Sequence, residues 1–272
     1  MQTHPIRDSI SSVARACSSR AGQRRRGVLL EAAGIVRTFG RLRAVDGASL
    51  SVAEGQIVGL IGPNGAGKST FFNVLAGDIP PTSGRIVFDR HDVTRASPEA
   101  HARLGIARTF QVPVTFEDMT VAENVLVGAF LRHPGRAEAE RVGRDLLAFT
   151  GLDRLAETPA RALGTPGRKR LEIARALATG PRLLLLDEAL AGLTPAEVRE
   201  GISLVRRIHA RGITLLIVEH IMEVILTLTD HAVVFHQGRV IAAGHPREIV
   251  QQPQVIAAYL GHSLARRERR RT

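Results

Sequence analysis

The sequence has little cysteine, few aromatic residues and no long hydrophobic run. Its 272 residues include one Cys, one Tyr and no Trp. The single cysteine, Cys17, excludes an internal disulfide framework and a cysteine-rich zinc site, and it favours a reducing compartment. No segment of about 18 consecutive apolar residues occurs, so the sequence predicts no membrane-spanning helix. With 44% hydrophobic and 23% charged residues, the composition is that of a globular protein.

Acidic residues are fewer than basic ones, 26 Asp and Glu against 37 Lys and Arg. The resulting net charge of +11 is concentrated at the two ends of the chain. Residues 1–27 contain six Arg and one Asp, and residues 263–272 contain five Arg and one Glu. We interpret the first segment as a disordered basic N-terminal extension and the second as a basic C-terminal tail. Attraction of these tails to anionic lipid or RNA, or organelle targeting by the first, are the alternatives. The nearly neutral body predicts no specific nucleic-acid partner.

Short apolar runs that alternate with helical segments predict an α/β fold. Segments with alternating polarity predict a small antiparallel sheet near residues 28–35, 48–52 and 84–88. Between residues 92 and about 175 we expect no strong strand but a helical subdomain, with helical spacing at 120–131, 137–150 and 169–179. Four further runs are apolar on both faces, as buried parallel strands are, and they cover residues 56–61, 182–186, 213–218 and 232–236.

The segment GPNGAGKST, residues 62–70, matches the phosphate-binding loop pattern and follows a predicted strand. Glycines let successive backbone N–H groups face a phosphate, and the helix that follows presents its positive end. Lys68 can reach the β- and γ-phosphates, and the Ser69 hydroxyl can ligate Mg²⁺. The predicted nucleotide-contacting positions of this loop are Gly62, Asn64, Gly65, Gly67, Lys68, Ser69 and Thr70.

An acidic pair, Asp187 and Glu188, follows the apolar run LLLL. An acidic residue at the carboxyl end of a buried strand lies at the sheet edge where α/β proteins bind ligands, so Asp187 is predicted to hold Mg²⁺ through water. Glu188 can polarise an attacking water as a general base. A lone acidic pair is usually a solvated strand end. Its combination with the phosphate-binding loop favours the catalytic interpretation.

With these motifs in this order, the chain resembles the nucleotide-binding subunit of an ABC transporter from about Val28 to Gly261. The resemblance implies a P-loop NTPase fold of the RecA-like type: a parallel-sheet core, a small antiparallel β subdomain and an inserted helical subdomain. It places this ATPase domain at residues 28–262, with the helical insertion at about 92–175. It also implies that ATP and Mg²⁺ are the cofactors.

Three further site residues follow from the resemblance alone. Phe39 in RTFG corresponds to the aromatic residue that stacks on adenine, with a core phenylalanine as the alternative. Gln111 in ARTFQ corresponds to the family's glutamine loop, which implies an Mg²⁺ ligand together with Ser69 and Asp187. His220 corresponds to the switch histidine that senses the γ-phosphate. The implied catalytic set is therefore Glu188, His220 and Gln111.

The family's signature loop, usually LSGGQ, corresponds here to LGTPG at residues 163–167. Gly164 stands in place of the serine, and Pro166 has no backbone N–H. We expect Thr165 to be the N-cap and Pro166 the first residue of the helix that follows. On this basis Thr165 supplies a hydroxyl, and Gly167 an N–H, to ATP bound on a second subunit. An ordinary capped helix without nucleotide contact is the alternative.

Segments outside the catalytic motifs, ARTFQ, FEDMTVAENVLVG and GHPREIVQQPQVIAAYLGH, resemble the ATPases of branched-chain amino acid importers and their urea or amide relatives. The resemblance implies an ATP-hydrolysing subunit that powers import through separate ABC permease subunits. It implies pairing with a second ATPase subunit and, indirectly, a solute-binding protein. The expected location is cytoplasmic, peripheral on the inner face of the cell membrane. The alternatives are a weakly hydrolysing structural or regulatory ABC protein and the ATPase of a lipid exporter.

Overall fold

The centre of the molecule is a six-stranded sheet with the strand order β10-β9-β3-β8-β7-β6. The computed structural model describes residues 27–268, with side chains described as far as Leu260. Strands β3, β6, β7, β8 and β9 run parallel, and β10 pairs antiparallel with β9. The strands are β3 (Ile57–Ile61), β6 (Ile106–Arg108), β7 (Leu183–Asp187), β8 (Thr214–Val218), β9 (His231–His236) and β10 (Arg239–Gly244).

Every residue of β3, β7 and β8 is buried, which explains why these runs lack polar alternation. The four parallel strands predicted from the sequence are confirmed, with shifts of one residue at most at either end. Because the carboxyl ends of parallel strands lie at one edge of the sheet, the loops that leave β3, β6, β7 and β8 meet there.

A second sheet is antiparallel, with the strand order β2-β1-β4-β5. Its strands are β1 (Val28–Phe39), β2 (Leu42–Ala53), β4 (Ser83–Phe88) and β5 (His91–Asp92). The first two form a hairpin in which Phe39 pairs with Leu42, and their inward residues, such as Leu30 and Val52, are buried. The predicted small antiparallel sheet is therefore confirmed.

Three α-helices form most of the insertion between β6 and β7. These are α3 (Val121–Ala129), α4 (Arg136–Thr150) and α5 (Thr165–Ala178), whose inward faces share one hydrophobic core that includes Val125, Leu147 and Leu171. The remaining helices are α1 (Lys68–Leu75), α2 (Pro98–Leu104), α6 (Pro195–Ala210), α7 (Met222–Leu228), α8 (Pro246–Ile249) and α9 (Pro253–Glu268).

The structure describes part of the predicted C-terminal tail and almost none of the predicted N-terminal extension. The predicted domain boundary at 262 falls inside α9, which continues to Glu268, so the predicted basic tail begins within a helix. Residues 1–26 and 269–272 lie outside the described residues, and the prediction for the N-terminal extension falls almost wholly on the first of these segments. Within residues 27–268, no helix combines the length and apolarity that crossing a membrane requires.

No strong strand is expected between residues 92 and 175, and the structure adds one short edge strand there, β6. Its residues pair with β7 in parallel, Ile106 with Leu183 and Arg108 with Leu185. A three-residue edge strand is too short to show a period of two, and its pairing comes from β7 rather than from its own sequence. The helical insertion therefore begins after β6, later than the predicted boundary near 92.

Candidate nucleotide site

The loop between β3 and α1 has a backbone that glycine accommodates best. Gly62, Gly65 and Gly67 have φ angles of +149°, +79° and +100°. A Cβ on Gly62 would lie 2.2 Å from the carbonyl oxygen of Phe235 in β9, and one on Gly67 would lie 2.3 Å from that of Ala44 in β2. The loop thus fits tightly between two strands, and it leads directly into a helix N-terminus. This is the arrangement that binds phosphates.

Lys68 begins α1, and its ammonium group folds over this loop. Its Nζ donates hydrogen bonds to the carbonyl oxygens of Gly62 at 2.7 Å and Pro63 at 3.0 Å. Burial lowers the pKa of Lys68, while the nearby carboxylates of Glu188 and Asp187 act in the opposite direction. Among the predicted contact positions of the loop, Asn64, Gly65 and Ser69 are exposed and Thr70 is half-buried.

Asp187, the last residue of β7, is buried beside an arginine. The guanidinium of Arg108 lies 3.4 Å from Asp187 Oδ2, and the Asp187 N–H donates to the Thr109 hydroxyl at 3.1 Å. Burial raises the pKa of Asp187, whereas Arg108 and Lys68 act to lower it. The Asp187 carboxylate is therefore close enough to the Lys68 ammonium group for their charges to interact, and it lies beside the phosphate-binding loop.

Glu188, Gln111 and His220 meet at the carboxyl edge of the sheet. Gln111 Nε2 donates to Glu188 Oε2 at 2.9 Å, and His220 Nδ1 lies 3.8 Å from Glu188 Oε1. Gln111 follows β6, Glu188 follows β7 and His220 follows β8, which are adjacent strands in the order β8-β7-β6. Parallel pairing of these strands brings the three predicted catalytic side chains together.

The residues predicted to hold Mg²⁺ are an exposed hydroxyl on α1, a buried carboxylate and an amide: Ser69, Asp187 and Gln111. Within the described part of the chain, no group of three or more His, Cys, Asp or Glu residues is arranged to hold a metal ion. The three predicted ligands include a single carboxylate, that of Asp187. Such a sparse oxygen-donor set fits Mg²⁺, which keeps several waters and shares its coordination with substrate phosphates.

Phe39, predicted to stack on adenine, lies at the end of β1 with 44% of its surface exposed. The guanidinium carbon of Arg37 lies 4.6 Å from the ring centroid, so one cation is already stacked on the ring. The hairpin that carries Phe39 also carries Ala44, whose carbonyl contacts the loop at Gly67. Phe39 is therefore an exposed aromatic residue on the element that adjoins the phosphate loop, not a core residue.

The expectation that Thr165 caps α5 is wrong. The N-cap is Gly164, with φ −68° and ψ 170°, and no side chain caps the first turn. Gly164 adopts the extended N-cap conformation itself, and its carbonyl accepts the Arg168 N–H at 3.0 Å, so the helix begins one residue earlier than predicted. Thr165 is exposed and Gly167 is half-buried.

Lys169 and Glu172, two charged residues on α5, contact the catalytic edge but were not predicted from the sequence. Lys169 Nζ donates to the backbone carbonyl of Glu188 at 2.9 Å. Glu172 accepts hydrogen bonds from the backbone N–H groups of Phe110 and Val114, and burial raises the pKa of Glu172 to about 7. In the sequence, these two charged residues stand in the mainly apolar segment KRLEIARALA, which indicates that they are important. The sequence does not indicate which groups they contact.

Comparison with known proteins connects these features to a family. A family model described as ABC transporter matches residues 45–191, and one described as branched-chain amino acid ATP-binding cassette transporter matches residues 239–265. The chain is 38% identical to BraF, a high-affinity branched-chain amino acid transport ATP-binding protein of Pseudomonas aeruginosa, with 86% of this chain and 98% of BraF covered. It is 39% identical to the lipopolysaccharide export system ATP-binding protein LptB of Acidithiobacillus ferridurans, with 86% and 97% covered.

A solved structure gives the same connection. The crystal structure of the ADP conformation of an ATP-binding cassette of an ABC transporter matches with a TM-score of 0.78 and 34% identity. The match covers 86% of this chain and 99% of that one. The similarity therefore extends over nearly the whole of the described fold and includes both sheets and the helical insertion.

Proposed function

Because the chain belongs to the ABC transporter family of ATP-binding cassettes, we propose that it hydrolyses ATP to power an importer of branched-chain amino acids. The observation that carries the hydrolytic part is the convergence of Gln111, Glu188 and His220 beside Asp187 and the phosphate-binding loop. The choice of solute rests on the family model at residues 239–265 and on the similarity to BraF.

Glu188 is the proposed general base. One carboxylate oxygen accepts the Gln111 amide and the other faces His220, so the side chain is oriented from two sides. A water held by Glu188 would give up its proton as it attacks the γ-phosphate. Lys68 and the N-terminus of α1 would stabilise the negative charge that develops on the phosphoryl oxygens. Mg²⁺ bound near Ser69, Gln111 and Asp187 would add to that stabilisation.

A second ATPase subunit completes the proposed site. The first turn of α5 has no side-chain cap and includes the exposed Thr165, and a helix N-terminus favours an anion. We place this turn against the γ-phosphate bound on the partner subunit, with the Thr165 hydroxyl and the Gly167 N–H as donors. Each subunit would then supply half of each site, and ATP would hold the pair together.

The glutamine loop is the proposed docking surface for the permease subunits. Val112, Val114 and Phe116 are 76%, 55% and 46% exposed. Beside them, a cavity of about 230 Å³ between α2 and α5 is lined partly by Phe110. Apolar side chains exposed in one segment mark an interaction surface. Docking there would place the subunit on the inner face of the membrane and would let the permease act on the neighbouring Gln111. A solute-binding protein would act through the permease.

Lipid export is the second candidate, since the identity to LptB is as high as that to BraF. Both candidates use the same hydrolytic site, so they differ only in the permease and the transported molecule. The site residues therefore do not separate them, and the cargo must be tested directly.

Mg²⁺-dependent ATP hydrolysis by the purified protein tests the site. Glu188→Gln should lower the hydrolysis rate by at least about 100-fold and leave ATP affinity intact, because it removes a base and not a phosphate contact. Glu157→Gln, an exposed carboxyl that belongs to none of the predicted motifs, is the control and should leave the rate unchanged. A Glu188→Gln variant that hydrolyses ATP at the wild-type rate would refute the assignment.

Reconstitution distinguishes the two cargoes. With a branched-chain amino acid permease pair and its binding protein in proteoliposomes, we expect ATP-dependent uptake of leucine. With lipopolysaccharide export permeases, we expect neither complex formation nor release of lipopolysaccharide. The opposite pair of results would replace the importer with the exporter.

A further inference from the structure

The buried carboxyl group of Glu172 holds both ends of the glutamine loop. Its Oε1 accepts the backbone N–H of Phe110 at 3.1 Å and that of Val114 at 3.4 Å. These two residues flank Gln111, and the Glu172 residue is only 4% exposed. A single oxygen atom on α5 thus joins the beginning and the end of the segment 110–114.

Other residues on the same face of α5 contact the same region. Arg175 donates a hydrogen bond to the backbone carbonyl of Val114. Side chains of α5 therefore bind both the N–H and the C=O of Val114. Lys169 donates to the carbonyl of Glu188. Lys169, Glu172 and Arg175 are spaced three residues apart, which places them along one side of a helix. One helix face therefore contacts Glu188 directly and also contacts the residues that flank its partner Gln111.

This arrangement has a mechanical consequence for catalysis. A five-residue loop anchored at both ends has few conformations, so the Gln111 amide is held near Glu188. If the anchors were removed, the loop would sample more conformations and the pair would form less often. Within residues 27–268, the hydrogen bonds of the Glu172 carboxylate go to Phe110 and Val114 and not to the phosphate-binding loop, so we expect ATP affinity to depend little on Glu172.

We propose that Glu172 is a positioning residue for ATP hydrolysis, which fixes the glutamine loop so that Gln111 meets Glu188. Because Glu172 lies on the helix that begins with the signature segment 163–167, it also links that segment to the Gln111–Glu188 pair. Movement of α5 would then displace the loop and the carbonyl of Glu188 together. The proposal rests on the hydrolytic function proposed above.

Steady-state kinetics of three variants test the proposal. Glu172→Ala should lower kcat by about 10- to 100-fold with the KM for ATP within about twofold, because misplacing a catalytic group affects the chemical step. Glu172→Gln should retain at least half of kcat, since its amide oxygen accepts the same two hydrogen bonds. Thr150→Val is the control, because it removes a buried hydroxyl hydrogen bond to Leu146 in α4 without touching the loop, and it should retain kcat.

A double-variant cycle shows whether Glu172 acts through Gln111. In the Gln111→Ala background, adding Glu172→Ala should lower kcat by less than twofold, because the group that it positions is already absent. Hydrogen exchange at the amides of Phe110 and Val114 should accelerate in Glu172→Ala and stay unchanged in Thr150→Val. If Glu172→Ala does not fold, Glu172→Met, which keeps the length of the side chain without an acceptor, takes its place.

Three results would overturn the proposal: a Glu172→Ala kcat within twofold of wild type, a Glu172→Gln variant as impaired as Glu172→Ala, or fully additive effects in the cycle. Each presupposes that the wild-type protein hydrolyses ATP. Absence of hydrolysis in the wild type would instead refute the proposed function, so the two failures are distinguishable.

Discussion

Glu188 has a partner at each of its polar atoms that faces the site. One carboxylate oxygen lies near Gln111 and the other near His220, and the backbone carbonyl accepts a hydrogen bond from Lys169. Its φ of +47° is unusual for a residue with a side chain and costs on the order of 1–3 kcal/mol. Such a conformation persists because the surrounding contacts determine it. The strained backbone of Glu188 lowers the stability of the fold, but it holds the Glu188 side chain in a fixed orientation.

The raised pKa of Glu172 predicts how stability depends on pH. Because the folded-state pKa is about 7 and the ordinary value is 4.5, the folded protein binds this proton more tightly than the unfolded chain. The stabilising contribution is therefore complete below about pH 4.5 and is lost as the pH rises through about 7. Burial causes the shift, and Arg175 and Arg108 partly oppose it.

Glu172→Gln removes this titration. Its free energy of unfolding relative to wild type should increase by about 2 kcal/mol between pH 5.5 and pH 8.5, measured by urea denaturation. The control Thr150→Val, which removes a buried hydroxyl and changes no titratable group, should show no such trend. Stability curves for Glu172→Gln and wild type that stay parallel over this range would contradict the prediction.

At the scale of elements, the sequence predicted those helices, strands and loops that a local sequence pattern determines. The buried strands, the phosphate loop and the helical insertion each have a period or motif within a few residues, and all three were predicted. Strand β6 was missed because its pairing with β7 is a tertiary contact. The start of α5 was misplaced because Gly164 takes the N-cap conformation that residue preferences assign to Thr165.

The same limit applies to the site. Gln111, Glu188 and His220 were assigned by resemblance, and the structure brings them together. Lys169 and Glu172 have no motif of their own, because their function depends on which backbone groups lie opposite them. A charged residue in an apolar helix segment indicates that a buried partner exists, but it does not identify that partner.

The tight fit of the phosphate loop gives a prediction for Gly62→Ala. The new Cβ would lie 2.2 Å from the backbone oxygen of Phe235, and that backbone cannot move without disturbing the pairing of β3 with β9. We expect a lower melting temperature and at least about a tenfold loss of ATP affinity. Gly47→Ala is a matched control, since Gly47 has φ +73° but open space around it. It should lose only about 1–2 kcal/mol of stability, and equal ATP affinity in the two variants would contradict the prediction.

The first turn of α5 gives a second prediction. Thr165→Ala should change the free energy of unfolding by less than about 0.5 kcal/mol, because this side chain caps nothing. We expect about a tenfold decrease in ATP hydrolysis and weaker ATP-driven dimerisation, since a hydroxyl donor to the phosphate is lost. Analytical ultracentrifugation with ATP measures the second effect.

Ser97→Ala is the control, because Ser97 does cap its helix by accepting the Ala100 N–H. This variant should lose about 1 kcal/mol of stability and keep its hydrolysis rate. If Thr165→Ala leaves both hydrolysis and dimerisation unchanged, the altered signature loop makes no contact of the proposed kind.

At the scale of the whole molecule, the glutamine loop connects the catalytic edge to an exposed apolar surface. Gln111 contacts Glu188, and the next residue, Val112, is 76% exposed. Val112→Asp should leave hydrolysis by the isolated protein within about twofold of wild type and abolish its stimulation by permease subunits, because a charge would be buried in the interface. Leu155→Asp, on the connection between α4 and α5 and 40% exposed, is the control. Stimulation that survives Val112→Asp would place the permease elsewhere.

Strand β3 leads into the phosphate loop, and its neighbours on both sides come from the last part of the chain. Gly59 pairs with Ile217 of β8 and with Ala232 of β9, and the Gly238 N–H donates to the carbonyl of Ala66 in the loop at 2.8 Å. During translation, the loop sequence leaves the ribosome before these partners are synthesised, because β8 and β9 follow it in the chain. We therefore expect the phosphate loop to reach its final geometry only after β8 and β9 have been synthesised, so that ATP stabilises the completed domain more than it stabilises the first half of the chain.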